Sequence, residues 1–538
     1  MKYIFVSGGV ISGIGKGIAT SSIALLLKSA GYKVSPIKMD PYLNVDAGTM
    51  NPIEHGECFI LDDGSETDQD LGHYERFLNE NLTKANIATQ GSVYLSVIQR
   101  ERNLEYDGEC VEVVTHVVQE ILARINEAGR SKNADIVIIE IGGTTGEYQN
   151  LLFLEANRLL KLKKQDDVIH VHISYLPIPN SLGEMKSKPV QMSVRDLNAV
   201  GIMPDFLLAR AERPLDQSRI RKLSVATGLE PEVIISAPDV DNIYEVPLFY
   251  EKQDLTEKIL KKLGLKRKST DLKEWTAFVD KVKNPHGKVK IGIVGKYFTT
   301  GDFTLMDSYI SVIEAIKHAS YSMGLEPEVT WIDAAKLEEK PEQLSKFDGV
   351  IVPGGFGARD VEGKIAAVKY VRENKIPYLG LCYGMQLAVV EFSRNVLGLE
   401  GANTEEVDPK TKYPVIHIMP DQVKKLLKRD YGGTMRLGSW DAELKAGSKI
   451  RELYGKDKTS ERHRHRYEVN NEYRADLEKH GFKIVGQSPD NKLVEIMELE
   501  DHPFFAGSQF HPELKSRPLD PHPMFVGFIA AASEKKAT

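Results

Sequence analysis

Short apolar runs alternate with helix-period stretches along both halves of this chain, and that alternation restricts it to α/β architecture. Tyr3–Val6, Ile136–Ile139 and Gly349–Val352 are each long enough for one buried strand. Repeated strand–turn–helix units of this kind build doubly wound, largely parallel sheets. At 538 residues the chain is too long for one hydrophobic core. A boundary stands at 262–288, where Lys266-Arg267-Lys268 and the turn-forming Asn284-Pro285-His286-Gly287 flank an apolar periodicity. Leu272, Trp275, Phe278, Val279 and Val282 predict a short amphipathic helix docked against a domain. The expected organisation is an α/β domain over 1–265, a linker over 266–287 and a second α/β domain over 288–538.

Composition excludes several classes. A net charge of −7 argues against nucleic acid as the main ligand. The three cysteines, Cys58, Cys110 and Cys382, are too few and too scattered for a disulfide framework or a zinc motif, which fits a cytoplasmic protein. Gly8, Gly9 and Gly13 interrupt the apolar N-terminus, and no run of 18 apolar residues occurs, so neither a signal peptide nor a membrane span is expected.

The first domain opens with a strand, a glycine-rich loop from Gly8 to Gly17 containing Lys16, and a helix running to Gly31. Backbone N–H groups and a helix N-terminus cradle phosphates, and lysine neutralises their charge. The spelling departs from the common P-loop: Gly17 stands where serine or threonine would ligate magnesium, and Val10 replaces the first glycine. The loop is therefore either a variant P-loop or a tight turn, and two carboxylates favour phosphate. Glu140 ends a strand and is delivered to the C-terminal sheet edge, where open α/β sheets bind ligands, with Gly142, Gly143 and Gly146 leaving room. Asp70 lies in a polar stretch, Lys38 to Phe77, too long for a hairpin. Two carboxylates suffice for Mg2+, which takes its remaining ligands from water and substrate phosphates.

In the second domain the apolar run Ile376–Leu381 turns at Cys382 into a helix from Tyr383 to Arg394, with Gly380 and Gly384 two residues to either side. That is the pattern of a nucleophile elbow, and a helix N-terminus favours the thiolate. His511 and Glu513 supply a base and a carboxylate to orient it. These residues resemble the triad of class I glutamine amidotransferases, and Pro353–Gly357 resembles that family's oxyanion loop. The resemblance implies a γ-glutamyl thioester on Cys382 and release of ammonia.

The whole chain resembles the CTP synthase family, through Ser7–Gly17, Lys38–Met50, Glu54–Glu57, Glu66–Phe77, Glu140–Gly146, Lys186–Gln191 and Arg462–Glu468. The resemblance implies amination of UTP to CTP with ATP and glutamine. Gly13, Ile14, Gly15, Lys16, Gly17 and Ile18 would then hold ATP, with Asp70, and Pro238, Asp239 and Val240 would flank its adenine. Lys16 and Lys38 would serve phosphoryl transfer, and Asp70 and Glu140 would hold Mg2+. UTP, or CTP as feedback inhibitor, would meet Ser12, Glu147, Tyr148, Gln149, Lys186, Ser187, Lys188, Pro189, Val190, Gln191 and Lys222. Glu147 and Gln149 depart from the family's aspartate and glutamate. Glutamine would be held by Gly355, Tyr383, Gly384, Met385, Gln386, Glu406 and Arg466, and His55 would stand at the ammonia passage. A homotetramer and activation by GTP, through Arg359, are implied as well. The competing readings are another P-loop amidoligase carrying a glutaminase domain, or a non-catalytic filament or scaffold protein. The run His463–Arg466 could alternatively form a basic surface patch.

Overall fold

The computed structural model describes residues 1–179, 181, 183–295, 299–300, 303–304, 306–358, 360–427 and 432–535. They form two compact units: Met1–Asp46 with His73–Val279, and Ala47–Gly72 with Asp280–Thr538.

The first unit is built on seven strands: β1 (Lys2–Gly9), β2 (Val34–Asp40), β3 (Ile87–Thr89), β4 (Ile136–Ile141), β5 (Val168–Tyr175), β6 (Phe206–Ala211) and β7 (Ile234–Pro238). Their order is β3-β2-β4-β1-β5-β6-β7, and every pairing is parallel. Both faces are covered, because side chains alternate across a strand: Ile4 and Val6 enter one core, Tyr3 and Phe5 the other. With all strands parallel, the loops after β1, β4 and β5 emerge at the same C-terminal edge. The helix Lys273–Lys283 forms in the linker and buries Trp275 beside Phe77, ring centroids 5.0 Å apart. The Trp275 indole N–H donates to the Tyr244 carbonyl at 2.9 Å, satisfying the one polar atom of a buried ring.

The second unit carries a nine-stranded sheet: β8 (Gly287–Gly295), β9 (Leu325–Asp333), β10 (Gly349–Val352), β11 (Tyr378–Leu381), β12 (Arg436–Leu444), β13 (Lys458–His465), β14 (Phe482–Gln487), β15 (Val494–Leu499) and β16 (Phe505–Ser508). The order is β9-β8-β10-β11-β16-β15-β14-β12-β13. Its first five strands are parallel, and the rest are joined antiparallel. Hence this sheet is mixed, with its parallel half supplying the strand–turn–helix elbow.

Residues 47–72 belong to this unit although they precede most of the first one in sequence. They include a small antiparallel pair, Phe59–Ile60 with Glu66–Thr67. Ser439 N–H donates to the Asp62 carbonyl at 2.9 Å. At Gly438, φ is +80°, and a Cβ would lie 2.6 Å from the Gly64 nitrogen, so only glycine permits that approach. No helix among the described residues is long and apolar enough to cross a membrane.

Candidate functional site

Cys382 ends β11 and begins helix Tyr383–Asn395 with φ 49° and ψ −97°, a strained turn that a non-glycine residue rarely adopts. The neighbours make it possible. A Cβ on Gly384 would lie 2.0 Å from the Val352 carbonyl oxygen, and one on Gly380 only 2.8 Å from the Gly384 carbonyl carbon. Cys382 N–H donates to the Ser508 carbonyl of β16 at 2.6 Å, which locks the elbow to the sheet. His511 Nδ1–H donates to Glu513 Oε1 at 2.8 Å, which leaves Nε2 as the ring nitrogen for the thiol. Gly354 lies against both: a Cβ there would stand 2.7 Å from His511 Cε1 and 3.8 Å from Cys382 Cβ. Burial pulls the imidazole down, but the Glu513 carboxylate and the Cys382 sulfur outweigh it and hold the His511 pKa well above the usual histidine value. This nucleophile, base and orienting carboxylate can perform acyl transfer.

A cavity of about 620 Å³ opens over the triad, lined by Cys382, His511, Glu513, Gly354, Gly355, Glu406 and Arg466 together with Gly48, Thr49, Glu57 and Cys58. The Gly357 N–H donates to Glu406 Oε1 at 2.6 Å. Arg466 is held by Gln422 Oε1 at 2.6 Å and Thr434 Oγ1 at 3.0 Å. These placements put a carboxylate and a guanidinium on the walls, complementary to the two ends of an amino acid. Tyr383, Gly384, Met385 and Gln386 are buried and are not among the lining residues. The Gln386 amide donates to the Tyr467 carbonyl at 2.8 Å, and Tyr383 donates to the Gly357 carbonyl at 3.0 Å, so both brace the wall. His55, in the turn Pro52–His55, is half-buried and does not line the cavity. Arg359 lies outside the described residues.

The run Arg462–Arg466 is no surface patch: Arg462 and His463 are 0% exposed, and His465 and Arg466 are buried too. Successive side chains diverge as strand geometry requires. Arg462 pairs with Asp62 at 2.6 Å and Arg464 with Glu66 at 2.9 Å. His463 meets His465 at 3.1 Å, near a buried Arg436–Glu495 pair 2.7 Å apart. Burial first, then Arg436, hold both histidines well below the usual pKa. Arg464, Glu57 and Cys58 line the cavity as well, although the sequence assigned none of them a role there. The period-two spacing of Arg462 and Arg464 was the available signal.

In the first unit, Gly15 (φ 90°) caps helix α1 (Lys16–Ser29), so the loop delivers the helix N-terminus to the sheet edge. Lys16 Nζ donates to the Gly143 carbonyl at 2.6 Å, joining the loops after β1 and β4. Ser12 and Gly13 are exposed, whereas Ile14 and Gly17 are buried and Ile18 partly so. Lys38 Nζ lies 2.9 Å from Glu140 Oε1 and 3.7 Å from Asp40 Oδ1, and Tyr74 donates to Glu140 Oε2 at 2.5 Å. Asp40 is a carboxylate that sequence reasoning passed over. Asp70 falls in the segment 47–72 of the second unit. Glu147 Oε1 accepts from Thr144 N–H at 3.0 Å, its other oxygen accepts from Gln149 Nε2 at 3.0 Å, and Tyr148 is 89% exposed.

Helix α2 (Lys188–Ala199) carries Lys188, Pro189, Val190 and Gln191, with Ser187 at its N-cap position accepting from Gln191 Nε2 at 3.1 Å. Lys186 Nζ lies 2.8 Å from Glu184, and the Glu184 carboxyl is held below its usual pKa by Lys186 first and by Lys222 and Arg219 beyond it. Asp239 pairs with Arg210 at 2.7 Å beyond the end of β7, beside buried Pro238 and half-buried Val240.

Comparison with known proteins agrees with both halves. Residues 2–265 match the family model of the CTP synthase N-terminus, and residues 304–531 match that of class-I glutamine amidotransferase. A CTP synthase of Sulfolobus acidocaldarius is 50% identical over 99% of this chain and 99% of its own. A CTP synthase of Caldanaerobacter subterraneus is 49% identical over 98% of each, and one of Bacillus thuringiensis 48% over 99% of each. The elbow, the phosphate-type loop and these full-length similarities converge: the chain belongs to the CTP synthase family.

Proposed function

We propose a division of labour between two sites for the reaction of this family, in which UTP, ATP, glutamine and water become CTP, ADP, phosphate and glutamate. The chain is a glutamine-dependent carbon–nitrogen ligase. The observation that carries the proposal is the cavity in which Cys382, His511, Glu513, Glu406 and Arg466 stand together. Cys382 attacks the glutamine carboxamide, His511 takes and returns the proton through Nε2, and Glu513 holds the ring with that nitrogen facing the sulfur. Gly355 and the elbow donate backbone N–H groups to the oxyanion, Glu406 receives the α-ammonium and Arg466 the α-carboxylate. Water then releases glutamate, and ammonia travels past His55.

Residues 1–265 carry the other half, linked through 266–287 to the glutaminase over 288–538. O4 of UTP attacks the γ-phosphate of ATP, with Gly13–Ile18 cradling the phosphates and Lys16 and Lys38 neutralising charge. Phosphorylation turns O4 into a leaving group that ammonia displaces. Lys186, Lys188 and Lys222 match a triphosphate, Ser12, Ser187, Pro189, Val190 and Gln191 line its approach, and Glu147, Tyr148 and Gln149 meet the pyrimidine. Pro238, Asp239 and Val240 flank adenine. Asp70 and Glu140 offer the hard carboxylate oxygens that Mg2+ prefers, and Glu140 already stands beside a cation. Among the described residues no group of three or more His, Cys, Asp or Glu could hold a metal, so a bound Mg2+ would take further oxygens from phosphates and water. When bound, Mg2+ would neutralise phosphate charge.

By the same family reading, the enzyme is a cytoplasmic homotetramer, CTP competes with UTP for the triphosphate site, and GTP stimulates glutamine use through Arg359. Conversion of UTP to CTP, followed by absorbance with ATP, Mg2+ and glutamine, tests the whole assignment. Turnover without UTP, or none with all four present, would overturn it.

A further inference from the structure

Two histidines interrupt the apolar strand β5, and neither has a part in the reaction described above. Ser7 of β1 lies opposite His172 in the parallel register. Its Oγ is 2.7 Å from His170 Nε2 and 2.9 Å from His172 Nδ1, and His172 Nε2 is 2.6 Å from Ser193 Oγ of α2. The Asn157 amide nitrogen meets His170 Nδ1 at the far end. All five side chains are buried: Asn157, His170 and His172 are 0% exposed, Ser7 1% and Ser193 3%.

With the Asn157 amide nitrogen at His170 Nδ1, one direction runs through this chain. Asn157 donates to His170 Nδ1, so a neutral His170 carries its proton on Nε2 and donates to Ser7. Ser7 then donates to His172 Nδ1, which leaves His172 protonated on Nε2 to donate to Ser193. Burial first, then the neighbouring charges, hold both rings neutral, with His172 lowered to about 3. One of those charges is Lys16, placing the relay within electrostatic reach of the phosphate loop. The relay also touches the loop's root: a Cβ on Gly9 would lie 1.6 Å from Ser193 Oγ and 3.1 Å from His172 Nε2.

We infer that His172 is a positioning residue: accepting from Ser7 and donating to Ser193, it clamps α2 to the strand that opens the phosphate-binding loop. Helix α2 begins at Lys188 and carries Gln191, so the clamp sets the UTP segment in register with the ATP loop. The inference rests on the proposed assignment of Lys188 and Gln191 to UTP. His172 touches neither nucleotide, so its loss shifts where α2 sits rather than the chemistry.

Steady-state kinetics with ammonia as nitrogen donor test this on the full-length enzyme, with His172→Phe, Ser193→Ala, their double variant, His172→Gln and Lys188→Ala. His172→Phe is expected to raise the UTP KM about tenfold, the reach of a lost buried hydrogen bond, with ATP KM and kcat within about twofold. Ser193→Ala moves in the same direction, the double variant is no worse than His172→Phe, and His172→Gln recovers part of the loss by restoring a donor. An unchanged UTP KM in His172→Phe, additive losses in the double variant, or a parallel change in both KM values and kcat with a lowered melting temperature would each overturn the clamp. Lys188→Ala separates the two levels. If it leaves the UTP KM unchanged, the UTP assignment fails and takes the inference with it. If it raises the UTP KM while His172→Phe does not, only the clamp fails.

Discussion

Asp62 and Arg462 stand 400 positions apart, yet the Arg462 Nε–H donates to Asp62 Oδ1 at 2.6 Å. The arginine is wholly buried, and Ser439 Oγ adds a second hydrogen bond to the same carboxylate oxygen at 2.8 Å. Burial alone would push the Asp62 carboxyl up, but Arg462, Lys515 and Ser439 bring it down to about 2. The pair fastens residues 47–72 to β13, and that segment supplies Gly48, Thr49, Glu57 and Cys58 to the cavity over Cys382.

Asp62→Ala is therefore expected to destabilise the second unit by about 1–3 kcal/mol, because it leaves a buried guanidinium short of an acceptor. Glutamine-dependent turnover should fall more than ammonia-dependent turnover, since the loosened segment walls the glutaminase cavity. Thermal melts and both assays read this. Equal loss with either nitrogen donor would show that the pair does not serve the cavity.

Cys382→Ala removes the proposed nucleophile, so glutamine-dependent CTP synthesis should drop to background. Synthesis from added ammonia should stay near the parental rate, which also shows that the variant is folded. Lys16→Ala should abolish synthesis from both nitrogen sources, because UTP is never activated. Glutamine use surviving in Cys382→Ala would refute the two-site mechanism.

Glu513→Gln removes a carboxylate that raises the His511 pKa. The variant's imidazole should lose its proton at lower pH, so the alkaline limb of the glutaminase pH profile should move down. The rate itself should fall by about 10⁴-fold, as when the orienting carboxylate of a triad is lost. An alkaline limb that stays in place would remove His511 from that role.

Acid should weaken the fold through its buried histidines. His172 is lowered to about 3 and His502 to about 4, chiefly by burial, while His170, His463 and His465 lie well below the usual value. Above about pH 6.5 these rings are neutral both folded and unfolded and cost nothing. Below that, the unfolded chain binds protons that the folded one refuses. Each such ring then costs about 1.4 kcal/mol per pH unit until its own lowered pKa is reached. His511 acts in the opposite sense: its raised pKa contributes stability below pH 6.5 that is lost as pH rises through its folded value. Urea midpoints should therefore decline between pH 7 and pH 5. A flat profile across that window would contradict the buried neutral network.

Local order made the two reactive turns legible in the sequence. Strand, Cys382 and helix are consecutive, with Gly380 and Gly384 two residues to either side, and so are strand, Gly8–Gly15, Lys16 and helix, so chain geometry alone delivers these side chains to a sheet edge. His511 and Glu513 are two residues apart, close enough for one turn to join them. What surrounds those turns was decided by contacts between distant segments. Arg464 reads as one basic residue in a basic run until Glu66, 398 positions away, is placed beside it. His170 and His172 read as interruptions of an apolar strand until Ser7 and Ser193 arrive from other elements to satisfy them. The physical reason is the same throughout. Backbone geometry at a turn follows from the residues that form it, whereas a buried charge or imidazole is tolerated only where folding brings a partner that its own neighbours in sequence do not supply.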